Sequence, residues 1–214
     1  MNRLFMILFL VLTCTGFRVF TNGNHWSATS TSPKLFVRFC STPFTLGTNN
    51  LPPSDPLYNQ TVTTTQVVAS IFNDFNNVPN AFINLVDAAT DGDFASLGAD
   101  RTIDVCVGAT SAGTGGVAEP KYEGSNVTGC KITISDKSTE KLKDFVATLT
   151  HELGHCVGLD HSQESTHAIM SYFYKSTDSA RLQIDDKMGL IYLYPDSLDN
   201  SREESTYGLS CAPR

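Results

Sequence analysis

Three histidines and one glutamate lie close together in the sequence, at spacings that suit metal chemistry. Residues 151–161 read HELGHCVGLDH, and His151 and His155 are four positions apart. On an α-helix, side chains four residues apart lie one above the other on the same face, so both imidazoles can reach one metal ion. Glu152, beside the first histidine, has the position of a general base for an attacking water.

The third histidine of this group requires a turn in the chain. Gly158 follows His155 by three residues, and a glycine there can adopt positive φ, end the helix and reverse the chain. The reversal would return His161 to the other two imidazoles. Three neutral imidazoles with an open coordination position are typical of a catalytic zinc site, where zinc polarises a carbonyl and lowers the pKa of a water to ~7. The remaining histidines, His25 and His167, receive no role.

The hydrophobic pattern predicts strands and helices that would carry this motif. An amphipathic helix is predicted over 63–77, because its apolar residues recur at helical spacing and Pro79 follows it. A capping-box-like sequence at Ser138 predicts the start of a long helix that runs through the histidines to about Gly158. We therefore expect an α+β (mixed α/β) domain. Strands are predicted at 34–39, 81–86, 102–107, 116–122 and 131–135, and a last helix at 185–194.

The composition limits the class of protein. The 214 residues carry 15 Lys+Arg against 22 Asp+Glu, a formal net charge of −7. A chain of this length is one ordinary domain, with or without a tail. Because phosphate contacts require clustered cations, the acidic balance argues against a nucleic-acid partner.

The amino terminus has the pattern of an export signal. Arg3 precedes an unbroken apolar run at residues 4–12. That run is too short for a bilayer span of ~20 residues and fits a secretory signal peptide. We place the cut near Gly16, with Gly23 as the alternative. Cys14 loosely resembles a bacterial lipoprotein acylation site, so a lipid anchor there, or a periplasmic location, is the alternative to secretion.

Residues 151–161 resemble the HExxHxxGxxH signature of the metzincin zinc endopeptidases. Ser162, directly after the third histidine, is typical of the matrixins, the matrix-metalloproteinase-like branch. Met170 lies where metzincins have a methionine turn beneath the metal, and Tyr174 resembles the tyrosine of the matrixin S1′ wall. Residues 185–194 are similar to the final matrixin helix.

The resemblance covers about residues 33–195 and implies a metzincin-like catalytic domain. Its fold would be a twisted, mostly parallel sheet with an antiparallel edge strand, two long helices and a C-terminal helix. Gly116, Val117 and Ala118 would lie on the edge strand, to which an extended substrate adds through backbone hydrogen bonds. The implied division is a signal peptide at 1–16, a lead-in segment at 17–32, a zinc metalloprotease catalytic domain at 33–195 and a tail at 196–214.

The function that the resemblance implies is that of a secreted zinc-dependent endopeptidase. Catalytic zinc would lie on His151, His155 and His161, and Glu152 would activate water. We expect a monomer acting on proteins or peptides, with no nucleic-acid partner and no transmembrane segment. The alternative is a non-enzymatic surface or matrix-binding protein that retains a metal site. The intact Glu152 argues against it, because a scaffold has no use for that carboxylate.

An acidic loop is the candidate for a second cation. Asp91, Asp93 and Asp100 could supply hard oxygen ligands to calcium, and matrixins often bind calcium in such loops. A solvated acidic loop without calcium is the alternative.

The cysteines of an exported protein are expected to form disulfides. Without Cys14, five of the six cysteines remain, which suggests two disulfides and one free thiol. In a matrixin sheet Cys40 and Cys106 would close neighbouring parallel strands and could pair. Cys156 is then expected to be the free thiol and Cys130 to pair with Cys211, although other pairings stay open.

Overall fold

The computed structural model describes residues 17–20, 24–26, 34–40, 45–88, 102–111, 113–162, 165–172 and 179–195. Within these ranges, no helix combines the length and the apolar character that crossing a bilayer would require. The predictions for the signal peptide, the calcium loop and the tail lie outside the described residues. So do those for Cys14, Asp91, Asp93, Asp100, Tyr174 and Cys211.

Five of the described strands form one sheet. The described residues form seven strands in all, which are β1 (Arg18–Val19), β2 (Lys34–Phe39), β3 (Asn84–Asp87), β4 (Thr102–Gly108), β5 (Gly116–Glu123), β6 (Asn126–Ser135) and β7 (Leu159–Asp160). The sheet order is β3-β2-β4-β6-β5, with parallel pairing throughout except for β5, which pairs antiparallel with β6 at one edge. The mostly parallel sheet with an antiparallel edge strand is therefore confirmed.

The described residues also form four helices, which are α1 (Thr64–Asn76), α2 (Asp136–Thr139), α3 (Leu142–Cys156) and α4 (Ile184–Leu193). The amphipathic helix predicted over 63–77 is α1. It begins with a capping box in which the Thr63 side chain accepts from the Gln66 backbone N–H and the Gln66 side chain accepts from the Thr63 N–H. Its apolar face is buried in the core through Val67, Val68, Ile71, Phe72 and Phe75.

The helix that carries the histidines begins later than predicted. The Ser138 hydroxyl donates to the carbonyl of Gly115 over 2.9 Å, so it does not cap α3, and residues 136–139 form the separate helix α2. The first N–H groups of α3 instead donate to a distant segment. Leu142 N–H donates to the Thr48 carbonyl and Lys143 N–H to Asn50 Oδ1. The predicted start at Ser138 is wrong because long-range partners satisfy this helix end.

Part of the segment assigned above as a lead-in packs against the domain. β1 pairs antiparallel with β7, with Arg18 opposite Asp160 and Val19 opposite Leu159. Trp26 is only 1% exposed and lies in the hydrophobic core. The chain between the second and third histidines is therefore braced by residues that precede the sheet.

Two disulfides link described cysteines. Cys40 pairs with Cys106, as expected for the ends of the neighbouring strands β2 and β4. Cys130 pairs with Cys156, so the expectation that Cys156 is a free thiol and that Cys130 pairs with Cys211 is wrong. The reason is that α3 packs on β6 and brings the two Cα atoms to 5.6 Å in a fully buried contact.

Candidate metal centre and cleft

The three histidines of the motif converge in the folded protein. Their candidate ligand atoms all lie within 4.8 Å of one another. The Nε2 atom of His161 is 3.1 Å from Nε2 of His151 and 3.2 Å from Nε2 of His155. The helical spacing and the return of the third histidine, both expected above, are therefore present in this geometry.

Backbone carbonyls set the tautomers of the two helical histidines. Nδ1 of His151 lies 2.7 Å from the Ile169 carbonyl, and Nδ1 of His155 lies 2.9 Å from the Leu159 carbonyl. Because a carbonyl only accepts, Nδ1 carries the proton in both rings and Nε2 presents a lone pair. Such backbone contacts are the outer support that metal-binding imidazoles require.

Burial keeps these rings neutral. It lowers the pKa of His151 to about 4, and burial together with the neighbouring His151 lowers the pKa of His155 to about 3. Burial also lowers the pKa of His161. Three neutral rings therefore face one point with their Nε2 atoms. His161 Nε2–H could satisfy only one of the two facing lone pairs, whereas a cation satisfies all three nitrogens, so the donor set fits zinc.

A glycine turn returns the third histidine to the site. Gly158 follows the end of α3 with φ +99°, the left-handed conformation that an L side chain rarely adopts. A Cβ there would also collide with the Asn24 carbonyl oxygen. The chain then forms β7, and the Asp160 carboxylate accepts from the His161 backbone N–H over 2.7 Å. The conformation predicted for Gly158 is confirmed.

The turn that contains Met170 supports the helix from the other side. Met170 is buried, and a Cβ at Gly154 of α3 would collide with its sulfur. The Asp186 carboxylate accepts from the backbone N–H groups of Ile169 and Met170 over 2.9 and 3.1 Å. Since the Ile169 carbonyl holds His151, Asp186 is connected to a ring nitrogen through one stretch of backbone.

Glu152 lies beside the histidines in a largely desolvated position. Its residue exposure is 6%, and burial raises the pKa of its carboxyl to about 7, although the Ala118 N–H that donates to it acts in the opposite direction. A carboxyl with a pKa near neutrality can both accept and return a proton at physiological pH.

The glutamate and the histidines line one cleft of about 840 Å³. Gly116, Val117 and Ala118 of β5 form part of its wall, as the resemblance implied, and Tyr174 lies outside the described residues. A Cβ at Gly116 would come within 3.0 Å of Glu152 Oε1, so the edge strand passes directly over the glutamate. The cleft extends along α3 past residues that the motif did not indicate, which are Ser138, Asp144, Ala147 and Thr148.

Tyr172 is a neighbour of the site that the sequence analysis missed. Its ring is stacked on His161 with centroids 3.9 Å apart, while 60% of the residue remains exposed. No pattern in the sequence marks it, because an exposed tyrosine in a loop has no periodicity. The histidines left without a role lie elsewhere: His25 forms a bridge with Asn126, and His167 is exposed.

Comparisons with known proteins agree with this geometry. The matrixin family model matches residues 15–195. Matrix metalloproteinase-B of Caenorhabditis elegans is 44% identical over 57 residues, which are 26% of this chain and 11% of that protein. The chain therefore spans only a small part of that relative's length.

Solved structures are similar to the chain at low sequence identity. The GM1-bound form of the ECX AB5 holotoxin has a TM-score of 0.52 at 14% identity, covering 84% of this chain and 87% of that chain. At that identity the likeness shows the fold alone. Metalloproteinase-II from Bacteroides fragilis has a TM-score of 0.38 at 12% identity, covering 80% of this chain and 56% of that chain.

Proposed function

The chain belongs to the matrixin family, and from this premise we propose that it is a secreted zinc-dependent endopeptidase that hydrolyses peptide bonds in proteins. One observation carries the proposal. The Nε2 atoms of His151, His155 and His161 converge beside the buried Glu152, in the wall of an open cleft. A purely structural metal site needs neither the cleft nor the carboxylate.

In the proposed reaction, zinc held by His151, His155 and His161 would supply Lewis acidity toward the peptide carbonyl and the attacking water. Glu152 accepts the proton of that water as it attacks the carbonyl carbon, and then delivers the proton to the nitrogen of the departing amine. The Ala118 N–H steadies the carboxylate through this exchange. Burial supports the double role, because in the metal-free protein it raises the pKa of the Glu152 carboxyl to about 7.

The substrate is proposed to lie extended along β5. Gly116, Val117 and Ala118 line the cleft, and a peptide could add to this edge as a further strand. Tyr174 remains the proposed wall of the pocket that receives the side chain after the scissile bond.

Export and calcium belong to the same proposal. The Cys40–Cys106 and Cys130–Cys156 disulfides support an oxidising compartment, and residues 1–16 remain the proposed signal peptide. Calcium binding by Asp91, Asp93 and Asp100 stays a prediction.

The test is cleavage of a peptide library by the zinc-loaded protein, with Glu152→Ala as the variant. Loss of the general base should lower kcat/KM by about 10²–10⁴-fold while zinc stays bound, measured by metal analysis. Glu140→Ala, which removes an exposed carboxylate outside the cleft, should cleave like the parent. An active Glu152→Ala variant would exclude the mechanism. A zinc-loaded parent that cleaves nothing would favour the non-enzymatic alternative.

A further inference from the structure

The open edge of β5 contains a proline. Among the described strands, β5 lies at the edge of the sheet and pairs with β6 alone, and Pro120 lies opposite Cys130 in the β5–β6 register. Proline has no backbone N–H to donate. If residue 120 faces β6, the β5–β6 pairing loses a hydrogen bond, and if it faces the open edge, a strand added there loses one.

Two observations indicate which backbone groups of β5 face outward. In an antiparallel strand the N–H and C=O of one residue point to the same side, and the side alternates from residue to residue. The Ala118 N–H donates to Glu152 and so faces away from β6. The Gly115 carbonyl accepts from Ser135 N–H, so residue 115 faces β6. Both assignments place residue 120 on the outward side, where a proline costs the sheet nothing.

Backbone groups alternate between the β6 side and the open edge along the whole segment that lines the cleft. The register runs without interruption from Gly116 opposite Ile134 to Lys121 opposite Gly129, and it shifts only between Lys121 and Tyr122. The outward positions are therefore Gly116, Ala118 and Pro120. Of their N–H groups, that of Ala118 is given to Glu152 and that of Pro120 does not exist.

The geometry points to Pro120 as a specificity-determining residue that limits how far along the edge a substrate can pair, and this inference rests on the proposed endopeptidase function. A peptide that adds antiparallel to β5 runs in the opposite direction. Its residues N-terminal of the scissile bond then pass from Ala118 toward Pro120. The residue opposite Pro120 can donate to the Pro120 carbonyl, but its own carbonyl meets no donor. The irregularity at Lys121 and Tyr122 bends the strand immediately afterwards.

Backbone pairing with substrate residues N-terminal of the scissile bond therefore ends at the residue that faces Pro120. Residues beyond the one that faces Pro120 contribute little backbone binding, whatever their side chains. Extension of the substrate in the other direction, toward the C-terminal side of the scissile bond, does not encounter this proline.

The experiment uses a cleaved core peptide and two series that lengthen it by one to four residues, one at the N-terminal end and one at the C-terminal end. The zinc-loaded parent should reach a plateau in kcat/KM early in the N-terminal series. Pro120→Ala restores an outward N–H and should raise kcat/KM for N-terminally extended peptides by about fivefold, the effect of roughly one net hydrogen bond. Its kcat/KM for the core peptide and its melting temperature should stay close to those of the parent.

Two further variants separate the N–H from other effects. Pro120→Gly also restores the donor, so an equal gain assigns the effect to the N–H and not to loss of the ring. Pro53→Ala, in an exposed loop outside the cleft, should change nothing. Continued gains with length in the parent, or no length-dependent gain in Pro120→Ala, would overturn the inference.

Failure of the proposed function gives a different result, because the parent would then cleave no peptide of either series. In that event the same peptides are titrated by calorimetry into zinc-loaded Glu152→Ala protein, with and without Pro120→Ala. A length contrast in Kd that depends on Pro120 would support the inference alone, and absence of any peptide binding would overturn it together with the proposed function.

Discussion

The indole Nε1–H of Trp26 donates to the backbone carbonyl of Cys156 over 2.7 Å, across a sequence separation of 130 residues. Cys156 is the last residue of α3, and the last carbonyls of a helix have no partner within it. The neighbouring Val157 carbonyl accepts from the Tyr194 hydroxyl over 2.7 Å. The Tyr194 hydroxyl oxygen in turn accepts from the backbone N–H of Trp26. A segment far from the motif therefore completes the end of the helix that bears two of its histidines.

Trp26→Phe should lower the free energy of unfolding by about 1–3 kcal/mol. Phenylalanine keeps an aromatic ring in the core but leaves a buried carbonyl without its donor, and that desolvation cost sets the magnitude. Chemical denaturation with matched m-values measures the change. Tyr58→Phe, which alters an exposed aromatic residue, should stay within about 0.5 kcal/mol of the parent. Equal stability of Trp26→Phe and the parent would mean that the Cys156 carbonyl finds another partner.

Asp186→Asn should weaken both the fold and the metal site. The carboxylate accepts from three backbone N–H groups through both of its oxygens, Ile169 and Gln183 on Oδ2 and Met170 on Oδ1. An amide has a single accepting oxygen, so at least one of these N–H groups would face its NH₂ group and lose its acceptor. We expect a loss of about 1–3 kcal/mol in the free energy of unfolding. Because the Ile169 carbonyl holds the His151 ring, zinc affinity should also fall by about 10–100-fold, measured by competition with a chelator.

The matched control for that substitution is Asp136→Asn, at an exposed aspartate in α2. Its zinc affinity should equal that of the parent. If Asp186→Asn lowers stability yet leaves zinc affinity unchanged, the hydrogen bonds that Asp186 accepts do not contribute to zinc binding through His151.

Zinc affinity should persist to lower pH than at a site made of histidines with unperturbed pKa values. Protons compete with zinc only near the metal-free pKa, which is about 4 for His151 and about 3 for His155, against ~6.5 for an unperturbed histidine. Proton competition at these two ligands should therefore be small from about pH 7 to about pH 5 and steep below about pH 4, and a milder decline above about pH 5 would come from His161, whose pKa burial lowers from its usual value. Chelator competition in Glu152→Gln measures this without titration of the glutamate. A steep decline that already begins near pH 6.5 would contradict the burial of these rings.

The free energy of unfolding of the metal-free protein should also depend on pH through the histidines and Glu152. Unfolded histidines take up protons near pH ~6.5 while the folded rings resist, so the histidine contribution is full above that pH and is lost as the pH falls toward about 4. Glu152 acts oppositely. Its pKa is raised to about 7, so its contribution is present at low pH and is lost as the pH rises through about 7. Comparison of the parent with Glu152→Gln separates the two.

What the sequence by itself determined is local. Helical geometry puts His151 and His155 on one face from their spacing alone, and the need for a left-handed residue after the helix identifies Gly158. The amphipathic period of α1 and the alternation of β2 likewise depend only on neighbours in the chain. For the same reason the fold class and the candidate ligands could be predicted, whereas the edge-strand position of Gly116 was implied by the resemblance to the matrixins.

Only the tertiary structure decided the contacts between distant segments. The Cys130–Cys156 pair, the start of α3 at Leu142 and the burial of Trp26 all depend on which faces pack together. Nothing in the spacing along the chain encodes such a meeting, because many pairings satisfy the same local patterns and the packed core selects among them. The sequence therefore located the candidate zinc ligands, whereas packing determined which carbonyls, carboxylates and aromatic rings hold them in place.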